Sequence, residues 1–535
     1  MRGLRIFFVV LFSSVTLLSY GQGNIDVLHY KFNIELNDRD DSIKGVADIS
    51  FVIKKNTDTI YFDLKAFNSK NGMLVENVTL NKPGIETPSL GHQKDDKIVL
   101  GMTRTMEKGD TASVSIVYRG IPADGLIISK NKYGRRTFFA DNWPNRAHHW
   151  IPCVDDPSDK ATVEFIVTAP SHYQVVSNGI MIEETNLADN KKLTHYREDV
   201  PLPTKVMVIG VADFAVNLAG TVDCIPVYSW VFPEEKKKGF YDYALAKDIL
   251  TYYIDYIGPF PYKKLANVQS KTIFGGMENA GAIFYHENSV DGKRSEEYLL
   301  AHEIVHQWFG DMATEKNFPH LWLSEGFATY LTHVYAESRL GFEKFNERMK
   351  EDRDQVIDFV RTSPKPVVDS VTPYLQLLNA NSYQRGSWVL HMLRRELGDS
   401  VFQRCVRSYY EQYKGKNADT KDLQVVFEKV SGKKLETFFK QWLHTADIPR
   451  LDISWKYDSK EKNLLVTIKQ LQKSGPFSFP LAIYIQQWAS DATIPVITVD
   501  KEQQTFIVSL VAKPIQVKFD PYASLLFEGR VTELK

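Results

Sequence analysis

The chain reads YLLAHEIVHQWFG from Tyr298 to Gly310, and this stretch decides the fold around it. Its apolar residues predict a buried helix that Gly310 can end. Residues four apart lie on one face of a helix, so His302 and His306 can bind one metal ion. Glu303 lies one residue along, where it can reach a water molecule on that metal without being a ligand. This arrangement is the zinc-hydrolase signature, in which the glutamate is the general base.

A third ligand is needed, because a catalytic zinc site usually has three protein ligands and an open position for water. Glu325, in the segment WLSEG, follows His306 after 18 intervening residues. That interval leaves room for the first helix to end and for a second helix to bring a carboxylate back to the metal. The alternative is a chance pair of histidines, and a glutamate in this context argues against it. We therefore predict one Zn²⁺ per chain, bound by His302, His306 and Glu325.

Length and composition limit the possible classes of protein. The chain has 535 residues, too many for one hydrophobic core, so about two to four domains are expected. Hydrophobic residues make up 43% and charged residues 24%, as in ordinary globular proteins. The net charge of −1 gives no reason to expect nucleic acid or an anionic membrane as a partner.

The first residues, 1–21, predict a signal peptide. Arg2 and Arg5 form a basic start, and Ile6 to Leu18 form an apolar core too short to span a bilayer. A cut after Gly21 would then release the mature chain. The alternative is an N-terminal membrane anchor. We expect an exported protein, periplasmic or extracellular, with no stable membrane insertion after cleavage, and its oligomeric state stays open.

The three cysteines, Cys153, Cys224 and Cys405, are widely spaced and odd in number. They predict neither a disulfide framework nor a metal site. We expect buried free thiols, and one disulfide bond remains an open alternative.

Periodicity predicts an α+β chain of several domains. From Asn24 to about Gly220, apolar and polar residues alternate, which is typical of a large antiparallel β-domain. Helical patterns follow, beginning with one apolar stripe over Phe240 to Ile257. Short alternating runs return after Asp447 and predict a compact β-sandwich of roughly 85 residues. The predicted boundaries are 22–220 for the N-terminal β-domain, 221–446 for the catalytic domain and 447–535 for the C-terminal β-sandwich.

Further motifs surround the zinc signature. The run from Gly275 to Asn279 reads GGMEN, the run from Tyr383 to Gly386 reads YQRG, and the run from Ile151 to Pro157 reads IPCVDDP. Together with the zinc signature they resemble peptidase family M1, the gluzincin zinc aminopeptidases that include aminopeptidase N and leukotriene hydrolase. The resemblance runs from about Asp141 to His444.

The resemblance implies a fold and an activity. The fold would be an N-terminal β-saddle, a thermolysin-like catalytic domain and a small C-terminal β-sandwich. Many members carry a large helical C-terminal domain, and this chain stops at Lys535 without one, so we expect a short form with a more open active site. The substrates would be peptides with a free N-terminus.

The resemblance also implies a role for each residue. Glu303 would be the general base, and Tyr383 would donate its hydroxyl to the oxyanion of the tetrahedral intermediate. Glu278 would bind the free α-ammonium of the substrate, and the glycine pair before it suits close approach of an extended peptide. The predicted substrate-binding residues are Gly275, Gly276, Met277, Glu278, Asn279, Asp141 and Arg385.

One departure from the family concerns the α-ammonium site. The family carries a Gln-x-Glu or Gln-x-Gln element upstream of its Asp-x-Pro signature, and the second residue of the element helps to hold the amine. The two positions here are Asp141 and Trp143. Asp141 can compensate only if the backbone comes close, and the equal alternative is a plain turn aspartate.

We therefore predict a zinc-dependent aminopeptidase that removes single residues from peptide N-termini. The alternatives are a zinc endopeptidase or an epoxide hydrolase on the same scaffold. A third is a catalytically silent binding scaffold, against which the intact zinc ligands, base and tyrosine argue.

Overall fold

A computed structural model describes residues 23–82, 92–488 and 492–535. The predicted signal peptide, residues 1–21, lies outside the described residues. Within those ranges, every helix is too short or too polar to cross a membrane.

Strands dominate the described residues up to Ala212, as predicted. Alternate side chains of each central strand are buried, as Tyr30, Phe32 and Ile34 illustrate, because successive residues of a strand face opposite sides of the sheet. The strands are β1 (Ile25–Glu35), β2 (Ile43–Ile53), β3 (Thr57–Asp63), β4 (Gly72–Asn81), β5 (His92–Lys94), β6 (Lys97–Met106), β7 (Thr111–Ile121), β8 (Leu126–Lys130), β9 (Arg136–Ala140), β10 (Lys160–Pro170), β11 (Gln174–Ser177), β12 (Ile180–Asn186), β13 (Lys191–Pro203) and β14 (Ile209–Ala212).

These strands form three sheets. The largest has the order β12-β13-β10-β1-β2-β7-β4, and the other two have the orders β11-β14-β9-β8 and β3-β6-β5. Neighbours in the largest sheet are antiparallel except β1 and β10, which are parallel. The prediction of a purely antiparallel domain is therefore wrong at this pair, because alternation within one strand does not encode the direction of its neighbour.

A mixed sheet follows, and one of its edges borders the site. Its order is β15-β16-β17-β19-β18. The two-residue edge strand β18 brings Gly276 and Met277 against the helix that carries the two histidines. The strands are β15 (Ala215–Val222), β16 (Ile225–Val231), β17 (Leu265–Ser270), β18 (Gly276–Met277) and β19 (Ala282–His286).

Helices dominate from Glu297 to Leu443, as predicted, and two further helices precede them. The single helix predicted over Phe240 to Ile257 is two helices, because the Leu245 N–H donates to the Asp242 carbonyl three residues back and interrupts the α-helical pattern. The helices are α1 (Lys236–Tyr243), α2 (Ala246–Tyr256), α3 (Glu297–His306), α4 (Trp322–Leu340), α5 (Phe342–Thr362), α6 (Gly386–Leu397), α7 (Asp399–Tyr413), α8 (Thr420–Ser431) and α9 (Glu436–Leu443). Two short parallel strands, β20 (Ala313–Glu315) and β21 (Lys416–Ala418), pair among them.

Helices α4 and α6 cross at two glycines. A Cβ atom on Gly326 would lie 2.9 Å from the Cα of Gly386, and one on Gly386 would lie 3.0 Å from the Cα of Gly326. Neither position can carry a side chain unless the helices separate, because real Cβ contacts are longer than this. The close crossing brings the π-helical turn Asn381–Arg385, which precedes α6, against α4.

The C-terminal residues form two further sheets. One has the order β27-β23-β22-β29; in the other, β24 pairs with β25, β26 and β28. Buried residues such as Ile453, Val466 and Ile483 join the hydrophobic core. The strands are β22 (Arg450–Asp458), β23 (Asn463–Gln470), β24 (Phe479–Gln486), β25 (Ala492–Thr493), β26 (Val496–Val499), β27 (Gln503–Ser509), β28 (Gln516–Phe519) and β29 (Glu528–Glu533).

Buried polar contacts join the N-terminal strands to the helical region. Lys205 and Glu315 form an ion pair, and their side chains are 1% and 0% exposed. The ammonium of Lys160 donates to the carbonyls of Asp311 and Met312, at 3.2 and 2.8 Å. These contacts fix β10 and the loop after β13 against the segment that follows α3.

All three cysteines are free thiols. Cys153 and Cys405 are buried, as predicted. Cys224 is exposed, which corrects the prediction for that residue, because it lies in the turn between β15 and β16.

Candidate metal centre and active site

Helices α3 and α4 bring the three predicted zinc ligands together. The Nε2 atoms of His302 and His306 lie 3.2 Å apart, and Glu325 Oε2 lies 3.4 and 3.3 Å from them. Donor atoms held at ~2.0–2.2 Å from one tetrahedral ion are roughly 3.3–3.5 Å apart, so the spacing fits zinc. The connection and second helix predicted from the interval between His306 and Glu325 are confirmed.

The surroundings leave these atoms available to a cation. His306 Nδ1 lies 3.0 Å from the Phe309 carbonyl, so that nitrogen carries the proton and the lone pair remains on Nε2. Glu325 Oε2 is buried and has no hydrogen-bond partner of normal geometry within the described ranges. When the histidines are protonated instead, their charge and hydrogen bonds hold the pKa of Glu325 below its ordinary value although burial opposes it, and a cation in the same place would act in the same direction.

Glu303 lies on the same helix and is 5% exposed. Its carboxylate packs against the backbone of Gly276 so closely that a Cβ atom there would overlap it. Burial raises the pKa of Glu303 well above its ordinary value, and the neighbouring carboxylates of Glu278 and Glu325 raise it further, while His306 opposes them. A carboxyl group with a raised pKa suits a group that both takes and returns a proton.

Tyr383 lies in the π-helical turn before α6 and faces the histidines. Its ring stacks on that of His302, with centroids 6.0 Å apart. Burial raises the pKa of its phenol well above the ordinary value, and the carboxylates of Glu325, Glu278 and Glu303 add to the shift. The hydroxyl therefore keeps its proton and can donate it in a hydrogen bond.

One cavity of about 450 Å³ contains most of the predicted residues. Glu278 lines it and is 5% exposed, and its Oε1 has no hydrogen-bond partner among the described residues. The Glu278 backbone is fixed because its carbonyl accepts from Gln307 Nε2 at 2.6 Å. The predicted residues that line the cavity are His302, His306, Glu325, Glu303, Tyr383, Gly275, Gly276, Met277 and Glu278.

Asn279 and Arg385, predicted to bind substrate, do not line the cavity. Asn279 is fully buried. The Arg385 guanidinium is also fully buried and donates to the backbone carbonyls of Thr445 and Asp447, at 2.7 and 2.8 Å. Arg385 therefore ties α6 to the chain after α9, and the prediction of substrate contact is corrected for this residue.

Asp141 does not line the cavity, and it directly follows β9 rather than lying in a turn. It is fully buried, and its Oδ1 accepts from Arg146 Nη2 at 2.8 Å. Its Oδ2 accepts from the Thr272 hydroxyl and the Ile273 N–H, both at 3.0 Å. Both oxygens are thus used inside the protein, which corrects both readings of this residue. Asp141 holds the segment that leads into Gly275.

Trp143 lines the cavity at the position where the family pattern has an amine-binding residue. Its ring meets those of Phe274 and Phe318 edge to face, with centroids 6.0 and 5.8 Å apart. The guanidinium of Arg146 lies 5.8 Å from the Phe274 ring centroid. This wall of the cavity is therefore aromatic.

Three cavity residues on α4 were not predicted: Thr329, Thr332 and His333. They follow Glu325 by four, seven and eight residues. That spacing alone places them on the same helix face as Glu325, so helical periodicity was the signal that could have found them.

Two family descriptions match the chain. The peptidase M1 N-terminal domain matches residues 27–206, and the peptidase family M1 domain matches residues 241–442.

Several named proteins are similar. Probable aminopeptidase 2 of Sulfurisphaera tokodaii is 28% identical over 430 residues, covering 76% of this chain and 53% of the relative. Puromycin-sensitive aminopeptidase of Caenorhabditis elegans is 25% identical over 519 residues, covering 90% and 53%. Glutamyl aminopeptidase of Homo sapiens is 28% identical over 344 residues, covering 61% and 36%. The chain spans about half the length of the first two.

Proposed function

The chain belongs to peptidase family M1, and from that premise we propose that it is a zinc-dependent aminopeptidase that removes single residues from peptide N-termini. One observation carries the proposal. Glu278 lines the same cavity as the three-ligand cluster and Glu303, and its buried Oε1 has no hydrogen-bond partner in the part of the chain that the structure describes. Such an oxygen needs a cation or a hydrogen-bond donor, and the α-ammonium of a peptide is both.

His302, His306 and Glu325 would hold one zinc ion. When bound there, zinc acidifies water and polarises the scissile carbonyl. The donor set of two imidazoles and one carboxylate is the kind that catalytic zinc sites use, which supports zinc over magnesium or calcium.

Glu303 performs the proton transfers of the proposed reaction. Its carboxylate takes a proton from the attacking water and later gives it to the leaving amine. The raised pKa favours the protonated form of Glu303, which is the form that gives the proton to the leaving amine. Gly276 makes this placement possible, since a side chain there would displace the carboxylate.

Tyr383 stabilises the negative charge that develops on the carbonyl oxygen. Its protonated phenol donates a hydrogen bond to that oxygen. The stacking on His302 limits the positions that the ring can take, so the donor is preorganised.

Glu278 sets the cut one residue from the N-terminus. It binds the free α-ammonium, and the aromatic wall of Trp143 and Phe274 gives that ammonium no second carboxylate. The backbone of Gly275 and Gly276 lies beside the path of an extended peptide.

Trp143 favours a second candidate function. A site without the second amine-binding group accepts blocked or internal peptide segments more readily than a site with two. A zinc endopeptidase on the same scaffold is therefore the alternative to test.

A matched pair of peptides separates the two candidates. The zinc-loaded protein is given a peptide with a free N-terminus and the same peptide N-acetylated, and the products are identified by mass spectrometry. We expect stepwise removal of N-terminal residues from the free peptide only, loss of cleavage with a chelator and recovery with zinc. Cleavage of both peptides at internal bonds would establish the endopeptidase instead.

The proposal also covers the architecture of the three regions and the boundary between the first two. We propose the β-saddle, thermolysin-like and β-sandwich architectures for the three regions. We also propose a first boundary just before Ala215 rather than at residue 220, because β15 pairs with β16 of the following sheet. Limited proteolysis with mass mapping of the fragments would test these boundaries.

A further inference from the structure

Gln307, a residue that the proposed reaction does not use, lies between the metal cluster and the proposed amine site. It directly follows His306 at the end of α3, and it is fully buried. Its side chain does not line the cavity, so a peptide bound there would not touch it. Any effect of Gln307 on the reaction must therefore pass through the residues that it holds.

Three hydrogen bonds use the side-chain amide of Gln307. Its Nε2 donates to the Glu278 carbonyl at 2.6 Å and to Asp311 Oδ2 at 3.0 Å, and its Oε1 accepts from the Gly281 N–H at 2.7 Å. These partners fix the orientation of the amide, because a carbonyl only accepts and a backbone N–H only donates. Both amide hydrogens are used, so the amide cannot turn over without leaving buried groups unpaired.

The bonds from Gln307 hold both ends of the short segment from Glu278 to Gly281. Gly281 has a φ of +66°, a conformation that favours glycine, so the chain turns sharply at this end of the segment. The N-terminal region holds the middle, where Asn178 Nδ2 donates to the Ala280 carbonyl at 2.8 Å. Gln307 adds the bonds that come from the helix of the two histidines.

The carboxylate of Glu278 depends on this backbone for its position. Its Oε1 has no hydrogen-bond partner among the described residues, so the backbone is what places the side chain in the cavity. Because Gln307 is bonded directly to His306, it links that backbone to a proposed metal ligand. In a peptide, the α-ammonium and the first carbonyl are joined through one carbon atom, so the two groups must be met at a fixed distance.

We infer that Gln307 is a positioning residue, which sets the distance between the carboxylate of Glu278 and the metal cluster so that a bound α-ammonium places the first peptide bond at the metal. The inference rests on the proposed aminopeptidase function and deepens it. The alternative is a purely structural role, in which loss of Gln307 lowers stability without changing the preference for an ammonium.

Two hydroxamic acids that differ only in the amine isolate this preference. Leucine hydroxamate and 4-methylpentanoyl hydroxamate carry the same metal-binding group, and only the first has an α-ammonium. Calorimetric titration of the zinc-loaded protein gives both dissociation constants without the need for turnover. For the wild type we expect the compound with the amine to bind about 30-fold more tightly or better, as for one desolvated charge pair.

Gln307→Met keeps the length of the side chain and removes all three hydrogen bonds. We expect the ratio of the two dissociation constants to move toward one by at least about tenfold, as when a supporting contact of a site is lost. The affinity for the compound without the amine should change less than about threefold. In a Glu278→Ala background, Gln307→Met should change the ratio less than about twofold, because Gln307 acts through Glu278.

Gln269→Met is the matched control. Gln269 is also fully buried and makes the same three kinds of bond outside the cavity. Its Nε2 donates to Glu235 Oε2 and to the Glu287 carbonyl, at 2.6 and 2.7 Å, and its Oε1 accepts from the Phe232 N–H at 2.9 Å. This variant should lose a comparable amount of stability and keep the wild-type ratio. Thermal unfolding and zinc content are measured for every variant.

Gln307→Glu is a second variant that preserves the shape of the side chain, for use if Gln307→Met does not fold. A carboxyl group has at most one hydrogen to donate, so it cannot serve both the Glu278 carbonyl and Asp311. The ratio should therefore move toward one by at least about threefold.

An unchanged ratio in a folded Gln307 variant would overturn the inference, and so would an equal fall in Gln269→Met. An equal loss of affinity for both compounds would also overturn it, because the effect would then lie in the metal site or in the fold. Equal affinity of the wild-type protein for the two compounds would instead count against Glu278 as the amine site. That result would contradict the proposed function, and the inference would fall with it.

Discussion

The ring of Tyr383 lies 12° from parallel with the ring of His302, and the two centroids are 6.0 Å apart. The stacking ties the proposed oxyanion donor to a proposed metal ligand, so the two are positioned together. Tyr383→Phe keeps the ring and removes only the hydroxyl. We expect kcat to fall on the order of 10²–10³ with a smaller change in KM.

Steady-state kinetics of this variant with equal zinc content provide the measurement. Tyr522→Phe is a suitable control, because that ring is 39% exposed and lies in the C-terminal region. An effect of Tyr383→Phe on KM alone would show that the residue only helps binding.

Glu303→Gln removes the proposed base while preserving the size of the side chain. Because the glutamine amide cannot take a proton from water, kcat should fall by at least ~10²–10⁴. Zinc content, measured by atomic absorption, should match the wild type, since Glu303 is not a ligand. Normal turnover in a zinc-loaded variant would rule out the mechanism.

Glu278→Ala tests the single carboxylate on the proposed α-ammonium site. Removing one partner of a desolvated charge pair costs roughly 2–5 kcal/mol, so kcat/KM should fall by a factor of about 30 or more. Glu287→Ala is the control, because Glu287 is also buried but pairs with Lys271 outside the cavity. A change below about twofold for Glu278→Ala would remove this residue from amine binding.

Asp141→Asn should lower stability. The carboxylate accepts bonds from Arg146, Thr272 and Ile273, and an amide has only one oxygen to offer them. Leaving buried donors unpaired costs about 1–3 kcal/mol, measurable by urea unfolding. Asp124→Asn is the matched control, because Asp124 also pairs with Arg146 but is 44% exposed. This variant should lower the free energy of unfolding by less than about 1 kcal/mol.

Asp159 gives a pH-dependent contribution to stability. Burial raises the pKa of its carboxyl to about 7, whereas in the unfolded chain it is about 3.9. Between these values the folded protein keeps a proton that the unfolded chain has released, so this contribution falls as pH rises from about 4 to about 7. Asp159→Asn should reduce that slope in unfolding measurements across the range. An unchanged slope would show that Asp159 is ionised in the folded protein.

The site could be predicted from sequence wherever its members lie close in the chain. His302 and His306 share a helix face through their spacing, and Gly276 to Glu278 follow from one short motif. Local periodicity also predicts the division into strand-rich and helical regions, because it depends only on which side of each element is buried.

Long-range partners explain what could not be predicted. Asp141 bonds to Thr272, 131 residues away, and Arg385 bonds to the Asp447 carbonyl, 62 residues away. The sequence showed a carboxylate and a guanidinium near functional motifs, but nothing local indicated that other segments would use their hydrogen-bonding capacity. The parallel pairing of β1 with β10 could not be predicted either, because it also joins segments far apart in the chain.

The contact between Gly326 and Gly386 links the position of Tyr383, the proposed oxyanion donor, to two residues that do not line the cavity. Gly326 follows the proposed metal ligand Glu325, and Gly386 begins the helix just after the turn that carries Tyr383. Because neither glycine has a side chain, the backbones of α4 and α6 touch directly at this point. An alanine at either position would push α6 away from α4 and would increase the distance from the Tyr383 hydroxyl to the proposed zinc ligands. A second alanine at the other position would add a further methyl group to the contact and could not reverse this separation.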